Sequence, residues 1–159
     1  MKTANFPASL PETHDVGGFS ESHGSHGLAF TGLSATWEQA QADSLSGKVV
    51  QLNPRQLGFW SPRFSAEELD ELVIPKRTLA RRRARHEPLT VEETDKALRL
   101  ARISSEADRV FGSPDKSSRW LRKANAALAG NRPIDLLKSE TGSRAVDELL
   151  GQIDHGMFG

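Results

Sequence analysis

The sequence predicts an all-α protein, on three observations. Two capping boxes, Ser65-Ala66-Glu67-Glu68 and Thr90-Val91-Glu92-Glu93, mark helix starts: the hydroxyl accepts from the amide three residues on, and the glutamate reaches back. After Thr90, apolar residues recur at steps of three and four, so Leu100, Ile103, Ala107, Val110 and Phe111 form one stripe. Gly112 with Ser113-Pro114, then Pro133 and Gly156, punctuate helix ends and beginnings, and no pair of alternating segments suggests a sheet.

The elements follow in order. Residues 1–31 are rich in Gly, Ser, His and Pro and carry only isolated apolar residues. Such a segment buries too little surface to offset an ordering cost of roughly 1–2 kcal/mol per residue, so it is expected to be a flexible tail. His14, His23 and His26 fall in it, and two histidines on a floppy segment are a poor chelate, so no metal site is expected. Residues 32–57 show a weak helical pattern through Leu33, Trp37, Ala40 and Leu45, then Val49, Val50 and Leu52 in a short extended piece or a helical turn. Asn53-Pro54 reads as an N-cap followed by proline at the first helical position.

The first capping box opens a short helix whose apolar side is Leu69, Leu72 and Val73. Pro75 breaks it, because the residue before a proline is pushed away from helical torsions, and starts the next helix over Lys76–Arg85. The second box opens the longest helix, ending near Phe111 with Gly112 as a left-handed cap. Ser113-Pro114 caps a helix running through Lys123, and residues 125–133 form a loop. Pro133 begins a helical turn with Ile134, Leu136 and Leu137. Thr141 or Gly142 starts the last helix, with Val146, Leu149, Leu150 and Ile153 on one face.

Composition narrows the function. The 159 residues suffice for one ordinary domain or two small helical ones. A formal net charge of zero gives no global field to recruit nucleic acid or an anionic membrane, although residues 75–85 hold six basic side chains and no acidic one. Cysteine is absent, no apolar run approaches a membrane span, and residues 1–11 lack the hydrophobic stretch of a secretory signal. A cytoplasmic protein is the default expectation.

An enzyme needs a nucleophile, a base, a metal or a phosphate cradle. His86 and His155 are the only histidines outside the tail, and neither has metal-ligand spacing. Asp154-His155 reads as a surface pair near the negative end of a helix dipole. Gly17-Gly18, Gly24 and Gly27 follow no strand. The chain is therefore expected to bind rather than catalyse, without a cofactor.

Two short helices with a tight break between them, the second basic, fit the helix-turn-helix layout. Lys76, Arg77 and Thr78 would then meet bases or phosphates first, and Arg81, Arg82 and Arg85 would neutralise phosphates further along. A solvated helix whose arginines pair with Glu67, Glu68, Glu71 or Glu92 explains the same run. Trp120 is either core or, beside the loop 125–132, an anchor for a partner.

The order Arg77-Thr78-Leu79-Ala80-Arg81-Arg82, Leu89-Thr90, Arg99-Leu100-Ala101-Arg102-Ile103 and Val110-Phe111-Gly112 resembles the Xre/MbcA/ParS antitoxin family. So do Trp120-Leu121, Asn125, Pro133-Ile134-Asp135-Leu136-Leu137, Gly142, Val146 and His155-Gly156. The resemblance covers residue 66 to the C-terminus and departs from the family in two places, at Thr94-Asp95-Lys96 and in the abbreviated helix that precedes the basic one. It implies a tail (1–31), an Xre-like helix-turn-helix region (32–88) and a helical toxin-binding domain (89–159).

The implied partner is an RES-domain toxin that degrades NAD or uses it to ADP-ribosylate a protein. The implied antitoxin covers the toxin's active-site cleft, forms a homodimer within a toxin–antitoxin hetero-oligomer, and represses its own operon. On that reading the toxin-binding residues are Trp120, Asn125, Leu128, Arg132, Arg144, Glu148 and His155. The last helix would expose Arg144, Asp147, Glu148 and His155, with Arg144 entering a pocket meant for phosphates. The alternative is a helix-turn-helix transcriptional regulator with no toxin partner.

Overall fold

The computed structural model describes residues 26–156, with side chains from residue 35 onward. Among the described residues there are seven α-helices and no strand. They are α1 (His26–Leu45), α2 (Ala66–Leu72), α3 (Lys76–Arg85), α4 (Val91–Phe111), α5 (Pro114–Arg122), α6 (Pro133–Leu136) and α7 (Glu140–Asp154). Short 3-10 turns at Gln56–Trp60 and Ala126–Leu128 complete the chain.

Helix α4 is the central strut. Ala97, Leu100, Ala101, Ile103 and Ala107 along it are buried, and α1, α2, α5 and α7 all pack on it. Small residues in this stripe let neighbouring helices approach closely, so one helix serves several partners. A single core results. Leu57, Trp60, Phe64, Leu69, Leu72, Ile74 and Leu89 fill its amino-terminal side, and Leu121, Leu128, Ile134, Leu137, Val146 and Leu150 its carboxy-terminal side.

Local rules account for most boundaries. The Ser65 hydroxyl accepts from the Glu68 amide at 3.1 Å while Glu68 accepts from the Ser65 amide at 2.9 Å. Thr90 and Glu93 repeat the arrangement at 3.2 and 2.8 Å. Gly112, at φ +63°, ends α4 in the left-handed region where a Cβ is disfavoured. The α2–α3 turn spans residues 73–75, with Val73 and Ile74 buried and the Ile74 amide bonded to the Leu69 carbonyl at 3.0 Å. Helix α3 buries none of its own residues.

Several expectations are corrected. Helix α1 begins at His26, inside the stretch expected as a tail; residues 1–25, including His14 and His23, lie outside the described residues. Leu45, expected on the apolar face of that helix, is 86% exposed, whereas Ala40 is buried. Residues 48–52, expected as an extended piece or a helical turn, form no helix or turn and are pinned at the start of α4: the Leu89 amide, just before it, donates to the Leu52 carbonyl (2.9 Å) and the Leu52 amide to Thr94 Oγ1 (3.2 Å). Asn53 caps no α-helix; its Oδ1 accepts from the Arg55 amide at 2.9 Å in a local turn that leads into the 3-10 turn. The Ser113 hydroxyl makes no capping bond to α5. The last helix starts at Glu140 because Ser139, whose Oγ accepts from the Gly142 amide at 3.0 Å, is its N-cap.

Helices α4 and α7 run parallel, joined by Arg99–Glu140 (3.1 Å), Arg102–Asp147 (2.7 Å) and Arg109–Asp154 (2.9 Å). The three acids recur every seven residues, two helical turns, which keeps them on one side of α7. Beneath that ladder, Gly142 is required by space: a Cβ there would run into the Leu136 carbonyl oxygen, which is backbone and cannot yield. A Cβ at Gly151, on the same helix, would meet nothing within 4 Å.

Opposite effects are therefore expected from one substitution at two places. Gly142→Ala should destabilise by about 1–3 kcal/mol through overpacking. Gly151→Ala should stabilise by up to about 1 kcal/mol through helix propensity. Thermal melting followed by circular dichroism measures both.

Candidate functional site

The basic helix is the first candidate surface, and its cations divide. Arg77 and Arg81 are exposed with no partner among the described residues. Lys76 meets the exposed Glu67 at 2.8 Å, Arg85 lies 3.8 Å from Glu87, and Thr78 is half-buried. Arg82 is turned inward and only 13% exposed, with Nε 2.8 Å from Glu93 and Nη1 donating to the Pro88 carbonyl at 3.3 Å. Its expected phosphate contact is thus corrected to a structural bond between α3 and the N-terminus of α4. Arg83, outside the candidate set, reaches the Pro54 carbonyl at 3.4 Å.

The candidate toxin-binding residues fall into two groups. On α7, Arg144, Glu148 and His155 are all exposed and share one face at steps of four and seven. Arg144 is held loosely by Glu140 at 3.3 Å, and Glu148 has no partner among the described residues. His155 Nδ1 lies 2.6 Å from the Gly151 carbonyl, an acceptor, so this nitrogen carries the proton. Asp147, expected to be exposed with them, is bonded to Arg102 instead.

The second group lies around α5 and the loop after it. Trp120 is half-buried and packs on Phe111, ring centres 5.3 Å apart and tilted by 42°, so it is both core and surface. Asn125 shapes the loop: its Oδ1 accepts from the Ala127 amide (3.0 Å) and its carbonyl from the Gly130 amide (2.9 Å). Arg132 is exposed and forks onto Asp135 at 2.7 and 2.9 Å. Leu128 is 8% exposed and belongs to the core, which corrects its expected role as a contact.

A buried polar clasp, unforeseen from sequence, ties the two surfaces together. Arg63, just before α2, donates through Nη2 to Asp108 Oδ1 on α4 (2.6 Å) and to Ser117 Oγ on α5 (2.8 Å). The Ser117 hydroxyl also donates to Asp108. Burial works against charge at both ends, pushing the Asp108 carboxyl up and the Arg63 guanidinium down, while their mutual attraction opposes both shifts. Alongside, Arg122 of α5 grips Glu68 of α2 with two bonds of 2.8 Å and donates to the Arg63 carbonyl at 2.9 Å. The one signal in the sequence was a charged residue, Asp108, directly beside the apolar stripe of α4.

Comparison with known proteins bears on both surfaces. Residues 63–102 match the family model of the antitoxin Xre-like helix-turn-helix domain, and residues 106–156 that of the antitoxin Xre/MbcA/ParS C-terminal toxin-binding domain. An "Antitoxin Xre" of Pseudomonas putida is 37% identical over 125 residues, spanning 79% of this chain and 67% of the relative. The chain belongs to the Xre/MbcA/ParS antitoxin family.

An "Antitoxin Xre" of Yersinia enterocolitica is 29% identical over 144 residues, spanning 84% of this antitoxin and 97% of the relative. A "Prs ADP-ribosylating antitoxin" of a Sphingobium species is 34% identical over 99 residues, spanning 56% and 62%. As a member of a family of toxin inhibitors, the antitoxin is a binding protein and not an enzyme, a component of a toxin–antitoxin pair with a helix-turn-helix domain. Among the described residues no cluster of three or more His, Asp or Glu could hold a metal ion, and no helix is long and apolar enough to cross a membrane. Both domain matches meet inside α4, so the antitoxin's two units share one helix.

Asp108→Ala should destabilise the antitoxin by about 3–5 kcal/mol, because it strands a buried guanidinium. The double change Arg63→Met with Asp108→Leu should cost less than the sum of its parts, since it removes both charges; urea denaturation of the four proteins gives the coupling. Exposed carboxylates respond differently to acid. Lys76 draws Glu67 down from 4.5 to about 2, and Arg132, Arg144 and Arg109 lower Asp135, Glu140 and Asp154. Groups lowered on folding stabilise the native state above their unfolded values. That contribution is therefore intact above about pH 4.5 and drains as pH falls toward 2, with a shallower loss at high salt. Melting temperatures across that range, at low and high salt, check the sign.

Proposed function

We propose that the antitoxin captures an RES-domain, NAD-using toxin and silences it by covering the active-site cleft with its carboxy-terminal helices. The observation that carries this reading is the match of residues 106–156 to a toxin-binding domain. The name of the Sphingobium relative supports the chemistry, because ADP-ribosylation consumes NAD. A cleft that accepts a dinucleotide must attract a pyrophosphate. Glu148, unpartnered among the described residues on the exposed face of α7, offers such a cleft a negative charge on a rigid helix. His155, Trp120, Asn125 and Arg132 supply further contact around it.

DNA contact falls to side chains within residues 32–88 and toxin capture to side chains within 89–159, while the matched domains themselves divide inside α4, without a break in the core. Arg77 and Arg81 then meet operator DNA, which gives autorepression a physical basis. The antitoxin acts as a homodimer within a toxin–antitoxin hetero-oligomer in the cytoplasm. Exposed Leu45, Val49 and Val91 line the groove between α1 and α4, and its rim carries both Lys48 and Asp95. A two-fold interface buries the same patch on both copies, and these exposed apolar side chains give it surface to bury. A regulator without a toxin partner is disfavoured by the match of residues 106–156 to a toxin-binding domain.

Co-expression with the toxin, read as cellular NAD and growth, tests the reading. Full-length antitoxin should protect, and deletion of residues 141–159 should abolish protection. Because the deletion also strips Val146, Leu149 and Leu150 from the core, Glu148→Lys is the cleaner probe and should weaken capture by about tenfold or more. Arg77→Glu with Arg81→Glu should spare protection and lose operator binding. NAD that keeps falling in the presence of full-length antitoxin would end the case.

A further inference from the structure

One strongly charged surface is used by neither role so far. Helix α5 turns Leu121 and Ser117 into the core and packs the half-buried Trp120 on Phe111. Its other side carries Lys116 and Arg119, one turn apart, and Lys123 at the C-cap; all three are exposed and have no partner among the described residues. In a chain with zero net charge and many intramolecular ion pairs, three free cations together are unusual.

We propose that Lys116, Arg119 and Lys123 form a second phosphate-contacting face, so that the toxin-binding unit also grips duplex DNA beside the helix-turn-helix. Three observations converge. First, the face is rich in lysine, and the aromatic side chain next to it, Trp120, is half-buried against Phe111; protein interfaces deplete lysine, whereas phosphate backbones select for it. Second, α5 is fastened to the helix-turn-helix at both ends. Ser117 and the Pro114 carbonyl bond to Arg63 at its start, and Arg122 bonds to Glu68 in the first turn of α2 at its end. The first helix of this motif crosses the DNA backbone, so an element clasped to its N-terminus lies next to phosphates. Third, three of the four acids of α2 are paired with cations, Glu67 with Lys76, Glu68 with Arg122 and Glu71 with Lys138, and the fourth, Asp70, accepts from the Lys76 backbone amide.

The inference rests on the reading of α3 as the DNA-facing element, and the experiment separates the two. Binding of the full-length antitoxin to a fluorescein-labelled duplex of mixed sequence is measured by anisotropy across a salt series. The variants are Lys116→Gln/Arg119→Gln/Lys123→Gln and, separately, Arg77→Gln/Arg81→Gln. All five positions are exposed, and circular dichroism confirms folding.

Each phosphate contact contributes about 0.9 to the slope of log affinity against log salt, so the α5 variant should lower that slope by roughly 2 to 3 and weaken binding roughly tenfold or more. Capture of the toxin should be unchanged. An unaltered slope in the α5 variant, while Arg77→Gln/Arg81→Gln still loses affinity, overturns the second face and leaves the α3 reading standing. Loss of toxin capture with normal DNA binding assigns the face to the toxin and also overturns it. Wild-type protein that fails to bind duplex even at low salt overturns both.

Discussion

A single guanidinium, that of Arg63, holds the architecture in register. It sits between the segment that leads into α2, the carboxylate of Asp108 on α4 and the hydroxyl of Ser117 on α5. Taking such a pair out of water costs several kcal/mol per ion, and apolar residues of similar volume would serve stability as well. What the pair supplies is direction. A guanidinium fork accepts partners only at fixed angles, so three elements from distant parts of the chain must meet in one arrangement. The neighbouring Arg122–Glu68 pair repeats the constraint close by, at the first turn of α2.

That constraint explains why a protein with two binding duties has one core. The helix-turn-helix unit ends, and the toxin-binding unit begins, within α4. Its buried stripe serves α1, α2, α5 and α7 alike. Neither unit can rotate against the other without stripping apolar surface from this helix. A partner seated on α5 or α7 is therefore held at a set position relative to Arg77 and Arg81. Joint occupancy by toxin and DNA then becomes a question of geometry rather than of linker length.

Charge follows the same logic. Equal numbers of acids and bases cancel in sum, and most pair within the fold, along the α4–α7 ladder and around α2. Solvent screens such exposed pairs, and each contributes little by itself. Their value lies in what they leave over. The charges left over among the described residues include Arg77, Arg81, Lys116, Arg119, Lys123 and Glu148, and free charges on rigid helices are what a partner can recognise.

The two capping boxes, the apolar stripe of α4 and the left-handed turn at Gly112 were legible in the residues, because each depends on neighbours three or four positions away; the family was legible by resemblance, while the start of α1 and the N-cap at Ser139 were not. Hydrogen bonds of capping boxes and apolar periodicity are local, and local rules can be read along a line. The candidate site was legible only in part. Arg77, Arg81, Arg144, Glu148 and His155 are exposed as expected, but Leu128 is core, Asp147 is paired and Arg82 faces inward. Arg82 finds Glu93 eleven residues on, and Arg63 finds Asp108 and Ser117 across 45 and 54. Gly142 answers to a carbonyl in another helix. The sequence by itself determined where the chain coils and which kind of protein it is. The tertiary structure alone decided which charges are consumed by folding and which are left for partners, since an ion pair depends on distance in space and not on distance along the chain.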